Sequence, residues 1–379
     1  MTTIRDIRLI PLAFIMGEGK AYGMARGKVA SRESGLIEVE TEDGLVGIGE
    51  AFGPLKATIG YLDLMKDAFI GRSLFEPELV WSDLISRRYH LGLQNQMTAC
   101  YSGINIACYD ALGKTLGVSV ANLLGGRGKE QIPAYASDGY ITDDPENQLP
   151  TQLEYFAELG FPAAKIKIGM SPTSDEARCA LARELLGDDT LIMVDANGNY
   201  TVDLTLESMS RITAHGIHFY EEPLPPQDVL GYRELGRRGT MPVATGEALF
   251  TIHDFARLTH PRAADILQPD LTLCGGFDQA KGIVTLCQIH NLRYSPHCWG
   301  SAVGLAAALH FLSSMPDYPH SDHQPTPRLL EYDVGENPLR DKLLIKPLEA
   351  VNGMVTVPDG PGLGIELDPD IIKRYRLDD

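Results

Sequence analysis

The chain reads as an α/β barrel preceded by a smaller α+β domain. Two textures and one absence carry that expectation. Strand signals followed by helix signals fill roughly the first 125 residues, and short apolar strands then alternate with helices through eight repeats. No GxGxxG follows the first of the eight strands, so the nucleotide-binding open sheet, which alternates in the same way, has little support. With 379 residues and 44% hydrophobic content the chain can bury a large core. At roughly 100 to 200 residues per domain, its length suits two domains or one domain with an appendage.

In chain order, residues 3–13 (TIRDIRLIPLA), 36–41 (LIEVET) and 45–50 (LVGIGE) read as strands, with Asp43-Gly44 supplying a hairpin turn between the last two. From about 57 to 116 the apolar spacing becomes helical, in ELVWSDLISRRYH and in MTACYSGINIACYDALGKTLG, which stops at a glycine. These elements define an α+β domain over 1–125. After the glycine-marked LLGGRGKE, strands are expected at 133–137, 163–168, 191–195, 217–220, 243–245, 264–268, 293–296 and 328–332. Helical segments such as 147–160, 174–187, 202–214, 276–290 and 300–313 lie between them, giving a barrel domain over 126–340. Residues 341–379 return to strand and turn signals (GMVTVPDGPGLGIEL), as a segment expected to pack back on the first domain.

Charge and composition remove several classes of function. With 51 Asp plus Glu against 33 Lys plus Arg, the net charge is −18, and the basic residues form no run, so no nucleic-acid partner is expected. An anionic substrate would be repelled by this field, so local lysines, arginines or a metal must reverse the potential at its site. The start, MTTIRDIRLI, has no apolar signal region, and no stretch approaches the ~18 apolar residues of a membrane span. A soluble, cytoplasmic protein is expected. The six cysteines include no CxxC pair and read as small core residues in a reducing compartment.

The chemistry is carried by a ladder of ionisable residues at the ends of successive strands: Lys165 and Lys167, Asp195, Glu221, Glu247, Asp270, His297 and Glu331. From Lys167 onward they recur every 23 to 34 residues, about one βα unit. In a parallel barrel all strands end on one face, so these residues converge on one site. Any one of them could mark nothing more than a strand meeting water; seven successive coincidences are hard to dismiss.

Asp195, Glu221 and Glu247 come from three consecutive strands and would sit side by side, which ionised carboxylates do not tolerate without a counter-charge. An oxygen-only set with open positions suits Mg²⁺ better than zinc, which favours His or Cys. Lys165 and Lys167, two apart on a strand, face the barrel mouth together while Ile166 and Ile168 face the helices. Two adjacent ammonium groups lower each other's pKa, so one of them is expected to serve as a neutral base. Asp270 and His297, on neighbouring strands, suit a carboxylate orienting an imidazole for proton transfer. Such a site could take a proton from the carbon beside a carboxylate and stabilise the enediolate.

On these residues the sequence resembles the enolase superfamily, in its mandelate racemase-like group, over essentially its full length. The resemblance implies a modified TIM barrel, (β/α)7β, under an N-terminal capping domain, with Mg²⁺ held by Asp195, Glu221 and Glu247. By the same analogy Lys167 is one acid/base, supported by Lys165. His297 with Asp270 is the other, Glu331 bonds the substrate carboxylate, and Asn197 contacts a substrate hydroxyl. The segments KIKIG, ILQPDLTLCGGF, LLEYD and PLEAVNGMVTVPDGPGLGIE are similar to galactarolactone cycloisomerases, which open aldarate 1,4-lactones by β-elimination.

The expected function is therefore Mg²⁺-dependent proton abstraction from a sugar-acid carboxylate with departure of a β-oxygen, most simply the ring oxygen of a lactone. An acid-sugar dehydratase, a racemase or epimerase, and a Schiff-base aldolase using Lys165 or Lys167 are the alternatives; the aldolase leaves the three carboxylates unexplained. A non-catalytic barrel would lack a ligand or a base, and neither is missing. The glycine-rich loop 16–27 lies where capping-domain loops of the group line the pocket, so Lys20, Tyr22 and Arg26 are candidates to grip a distal carboxylate. A homo-oligomer, from dimer to octamer, is expected by the same analogy.

Overall fold

The computed structural model describes residues 2–144, 146–259, 262–316 and 328–377. The chain opens with an antiparallel sheet of three strands, Ile4–Ile15, Ser31–Thr41 and Val46–Ala51, whose first two pair along nearly their whole length. Helices Leu55–Phe69, Pro77–Arg87 and Gln96–Leu116 accompany it, and share a core in which Trp81 stacks on Tyr101 with ring centroids 4.5 Å apart. The third helix starts where the Asn95 side chain accepts from the Met97 amide and ends at Gly117 in the left-handed conformation.

That helix lies very close to the third strand. A Cβ at Gly47 would fall 2.1 Å from the Ala107 carbonyl oxygen, and one at Gly49 the same distance from that of Gly103. Backbone cannot step aside as a flexible side chain can. Gly49→Ala is therefore expected to lower stability by about 3 kcal/mol, the upper end for overpacking. A urea midpoint equal to that of the parent protein would refute the tight approach.

Segment 16–27, expected as a loop, contains strand Tyr22–Met24, hairpin-paired with Gly27–Val29 and joined by Ile141–Thr142 from beyond the first barrel strand. This small sheet stitches the capping domain to the barrel mouth. Three-residue strands are too short to show alternation, which is why the sequence does not reveal them.

The eight barrel strands are Gln131–Ser137, Ala163–Lys167, Leu191–Asp195, Ile217–Glu221, Val243–Thr245, Ile266–Leu267, Arg293–Tyr294 and Leu330–Asp333. All pair in parallel, the eighth beside the first and the rest in chain order. Between the seventh and eighth, the Ser295 hydroxyl donates to the Leu329 carbonyl at 3.2 Å. The helices that separate the strands include Val229–Arg238 and Thr251–Thr259, both amphipathic. Directly after the eighth strand the chain makes a four-residue helix, Pro338–Asp341, and a seven-residue one, Pro369–Tyr375, follows near the end; neither leads to a further barrel strand among the described residues, so the architecture is (β/α)7β.

Strand alternation sorts the side chains. Tyr135, Ala163, Met193, Phe219, Ala244, Ile266 and Leu329 fill the barrel interior, while Ile166, Ile168 and Val194 join the main core outside it. Strand Met354–Thr356 adds antiparallel to the start of the first barrel strand, Gly362 exchanges bonds with Val118 and Val120, and the Leu377 amide reaches the Pro11 carbonyl. Residues 354–377 thus touch both barrel and cap. All six cysteines are unpaired and five are buried, Cys298 being half-buried. Among the described residues no helix is long and apolar enough to cross a membrane.

Candidate active site

The strand ends bring the ladder together. Asp195 and Glu221 are the last residues of the third and fourth strands and lie side by side in register, and Glu247 follows the fifth strand by two residues. Each offers an oxygen within 4.8 Å of the others. Burial pushes Glu221 up to about 8; Lys165 pulls it back, and Asp195, Glu331 and Glu247 add to the rise. Crowded carboxylates that resist full ionisation fit a hard divalent cation. Neighbours fix their orientation: the Asn197 amide donates to Asp195 at 2.8 Å, Gln268 to Glu221 at 2.7 Å, and the Asn197 side chain to Glu247 at 3.2 Å. The buried Asn197 Oδ1 is left without a partner.

The lysines face the mouth together as expected, but their charge state differs from expectation. Lys165 Nζ sits 2.5 Å from Glu221 and 2.7 Å from Glu331, and Lys167 Nζ sits 2.5 Å from Asp195. Burial lowers the Lys167 pKa and Lys165 lowers it too, yet Asp195, with Glu247 and Glu221, raises it overall. Mutual repulsion of the lysines is real and is outweighed by the carboxylates, whose proximity is a tertiary fact.

Asp270 and His297 form the expected pair, with His297 Nδ1 2.7 Å from Asp270 Oδ2. The other oxygen of Asp270 accepts from the Thr272 amide and hydroxyl, so its direction is fixed. His297 Nε2 points toward Glu247 at 3.6 Å and Glu331 at 4.0 Å. Burial works against its charge, but Glu247, Glu331 and Asp270 push the imidazole up to about 10. Because its pKa is raised, this group contributes stability that is fully present below about pH 6.5 and is lost as pH rises toward 10. Imidazole NMR of the metal-free protein should show His297 titrating far above the ordinary range, and lower once Mg²⁺ is added. A midpoint near 6.5 without metal would contradict the geometry.

Glu331 accepts from the Ser137 hydroxyl, Lys165 and the Cys298 amide. Burial opposes its ionisation, but Lys165 and His297 hold it down to about 2. Two carboxylates clamp the loop that carries His297. Besides Glu331 on Cys298, the fully buried Glu50 of the capping sheet accepts from Ser301 and Gly304, capping helix Ala302–Ser314. Gly300 and Gly304 leave room for it: a Cβ at either would lie under 3 Å from a Glu50 oxygen.

A cavity of about 640 Å³ opens over this floor, touching Lys167, Asn197, Glu247, His297 and Glu331. Its roof comes from the capping domain, including Tyr22, Met24 and Phe52, with Trp299 and Tyr140 from the barrel. Of the three loop candidates for a distal carboxylate, only Tyr22 lines this cavity. Arg26 donates to the Gly198 carbonyl and Lys20 pairs with Asp144, each spent on holding the small sheet to the barrel. Sequence reading also passed over Ser137, Gln268 and Glu50. The first two lie at or just beyond strand ends and were open to the rule that found the charged residues. Glu50 had no such signal.

Two family profiles match this chain, one described as mandelate racemase / muconate lactonizing enzyme, N-terminal domain, over 14–125, the other as enolase C-terminal domain-like, over 148–371. The chain belongs to the mandelate racemase and muconate lactonizing enzyme group of the enolase superfamily. This enolase-superfamily member is 38% identical over 347 residues to D-galactarolactone cycloisomerase of Agrobacterium fabrum, covering 91% of each chain. To arabinonate dehydratase of Saccharolobus solfataricus it is 28% identical over 380 residues, covering 98% of this chain and 99% of that one. A racemase from Streptomyces coelicolor A3(2) with bound magnesium superposes with a TM-score of 0.85 at 25% identity, covering 99% and 100%. The enolase-superfamily chain described here is an enzyme, of the isomerase or lyase kind.

Proposed function

We propose that this enzyme abstracts the proton beside the carboxylate of a sugar acid, with Mg²⁺ bound, and expels a β-oxygen, that oxygen being the ring oxygen of an aldarate 1,4-lactone. The observation that carries the reading is a single cavity whose floor presents Lys167, Glu247 and His297 together. The 38% identical cycloisomerase supports the lactone as the form consumed. Mg²⁺ held by Asp195, Glu221 and Glu247 would supply the positive charge that acidifies the α-proton, stabilises the enediolate and offsets those carboxylates' pull on the Lys167 and His297 protons.

In this reading Lys167, on the second strand, takes the proton, and Lys165 keeps Glu221 and Glu331 oriented while lowering the basicity of its neighbour. His297, on the loop after the seventh strand, gives a proton from Nε2 to the departing oxygen, with Asp270 holding Nδ1. Glu331 is ionised and already accepts three bonds, so bonding a substrate carboxylate there requires it to take up a proton on binding. Asn197 Oδ1, buried and unpartnered, is free to accept from a substrate hydroxyl.

The test is NMR in D₂O with Mg²⁺ over aldonates, aldarates and aldarolactones, with Lys167→Ala and His297→Asn as controls. Consumption of a lactone with cleavage of its ring C–O bond supports the proposal. Loss of hydroxide from an open acid would make the enzyme a dehydratase, as the arabinonate relative is named. Deuterium entering at the α-carbon with inversion and no elimination would make it an epimerase. Turnover insensitive to EDTA, with substrate trapped on the protein by borohydride, would replace the proposal with Schiff-base chemistry.

A further inference from the structure

We propose that the pocket accepts a sugar acid bearing one carboxylate and rejects one bearing two, and that Glu33 at the roof sets this preference; the inference rests on the sugar-acid reading above. The cationic side chains touching the cavity are Lys167 and His297, both on the floor where the reacting carboxylate must lie. Away from the floor the wall is mainly aromatic and aliphatic: Tyr22, Met24, Phe52, Phe250, Leu273 and Trp299.

The cations nearest that wall are committed elsewhere. Arg26 is bonded to the Gly198 carbonyl, and Lys20 to Asp144 at 2.7 Å. Arg32 lies behind the wall, 4.3 Å from the Tyr22 ring and 4.7 Å from that of Trp299, and is paired with Asp333 at 2.8 Å. It braces the aromatic residues without reaching the cavity.

Glu33 is the charge that the roof does present. It follows Ser31 by two residues on one strand, so both project to the same face, and both touch the cavity. Among the described residues its carboxylate has no salt-bridge partner, and it is exposed. A second carboxylate on the substrate would meet this charge at the roof with no cation lining the cavity there to offset the repulsion. A hydroxyl there would instead donate to Glu33. Discrimination by a built-in repulsion is an effective way to separate ligands that share a reacting end. It agrees with the lactone proposed above: closing one carboxyl of a diacid into a lactone removes the charge that Glu33 opposes, and aromatic walls suit the C–H face of a ring.

The test compares gluconate and glucarate, which differ in having a hydroxymethyl or a carboxylate at the far end. Their Kd values for the Mg²⁺-loaded parent protein, Glu33→Gln and Glu33→Lys are measured by calorimetry. The parent is expected to bind gluconate at least about tenfold more tightly; Glu33→Lys should bring the two within about twofold or reverse them, with Glu33→Gln between. Glucarate bound as tightly as gluconate by the parent, or a ratio unmoved in Glu33→Lys, would overturn the inference. Binding of neither acid would overturn the inference and leave the lactone reading to be decided by the D₂O experiment. A failed D₂O exchange experiment with the ratio intact would overturn only the proposed chemistry.

Discussion

Lys167→Ala is expected to lower kcat by about two to four orders of magnitude with little change in KM, the range for loss of a positioned acid or base. The side chain is buried at the cavity floor and, among the described residues, its close ion pair is with Asp195, so its loss strips the reacting carbon of a base. α-Proton exchange in D₂O should vanish with turnover, since exchange requires abstraction but not elimination. Retained Mg²⁺ binding and an unchanged melting temperature would show that the fold is intact. Exchange persisting at the parent rate would mean that Lys167 is not the base.

Removing the metal should have an effect at least as large on turnover, and a measurable one on stability. EDTA is expected to abolish activity, and Mg²⁺ at about 100 times its Kd should stabilise the protein by about 2.7 kcal/mol. The pH dependence sharpens this. Glu221 keeps its proton up to about pH 8 in the folded chain, whereas an unfolded glutamate releases it near 4.3, so the metal-free protein loses stability as pH climbs through that window. Mg²⁺ should restore what is lost, and its thermal shift should therefore grow between pH 5 and 8. Glu221→Gln should remove most of the shift and flatten its pH dependence. A melting temperature indifferent to Mg²⁺ at every pH would mean that the three carboxylates hold no such ion.

Much of the site was legible because a parallel barrel turns sequence period into spatial convergence. Asp195, Glu221 and Glu247 could be read as neighbours without coordinates, as could Asp270 and His297, since adjacent strands end side by side. Charge state was not legible. The depression expected for Lys167 depended on one neighbour visible in the sequence, and the outcome on three carboxylates contributed by other strands. Loop residues were the other limit. Arg26 and Lys20 sit in a segment close to the pocket, but which way a loop cation points is decided by the nearest acceptor, here Gly198 and Asp144 from the barrel. Glu33 carried no signal because it lies before the strand expected at 36–41, which in the structure begins five residues earlier, at Ser31.

Residues 354–377 are bonded to the first barrel strand at one end and to Pro11 at the other. During synthesis they leave the ribosome after every catalytic side chain has been made. A cap that folded early would already be held to the barrel by the small sheet and by Glu50, and the tail adds the last of the bonds between them, so the join of roof to floor is completed late in maturation. A nascent chain stalled before residue 354 should therefore hold cap and barrel joined by fewer bonds, and shortening this tail is a way to loosen the enzyme without touching a residue of its chemistry.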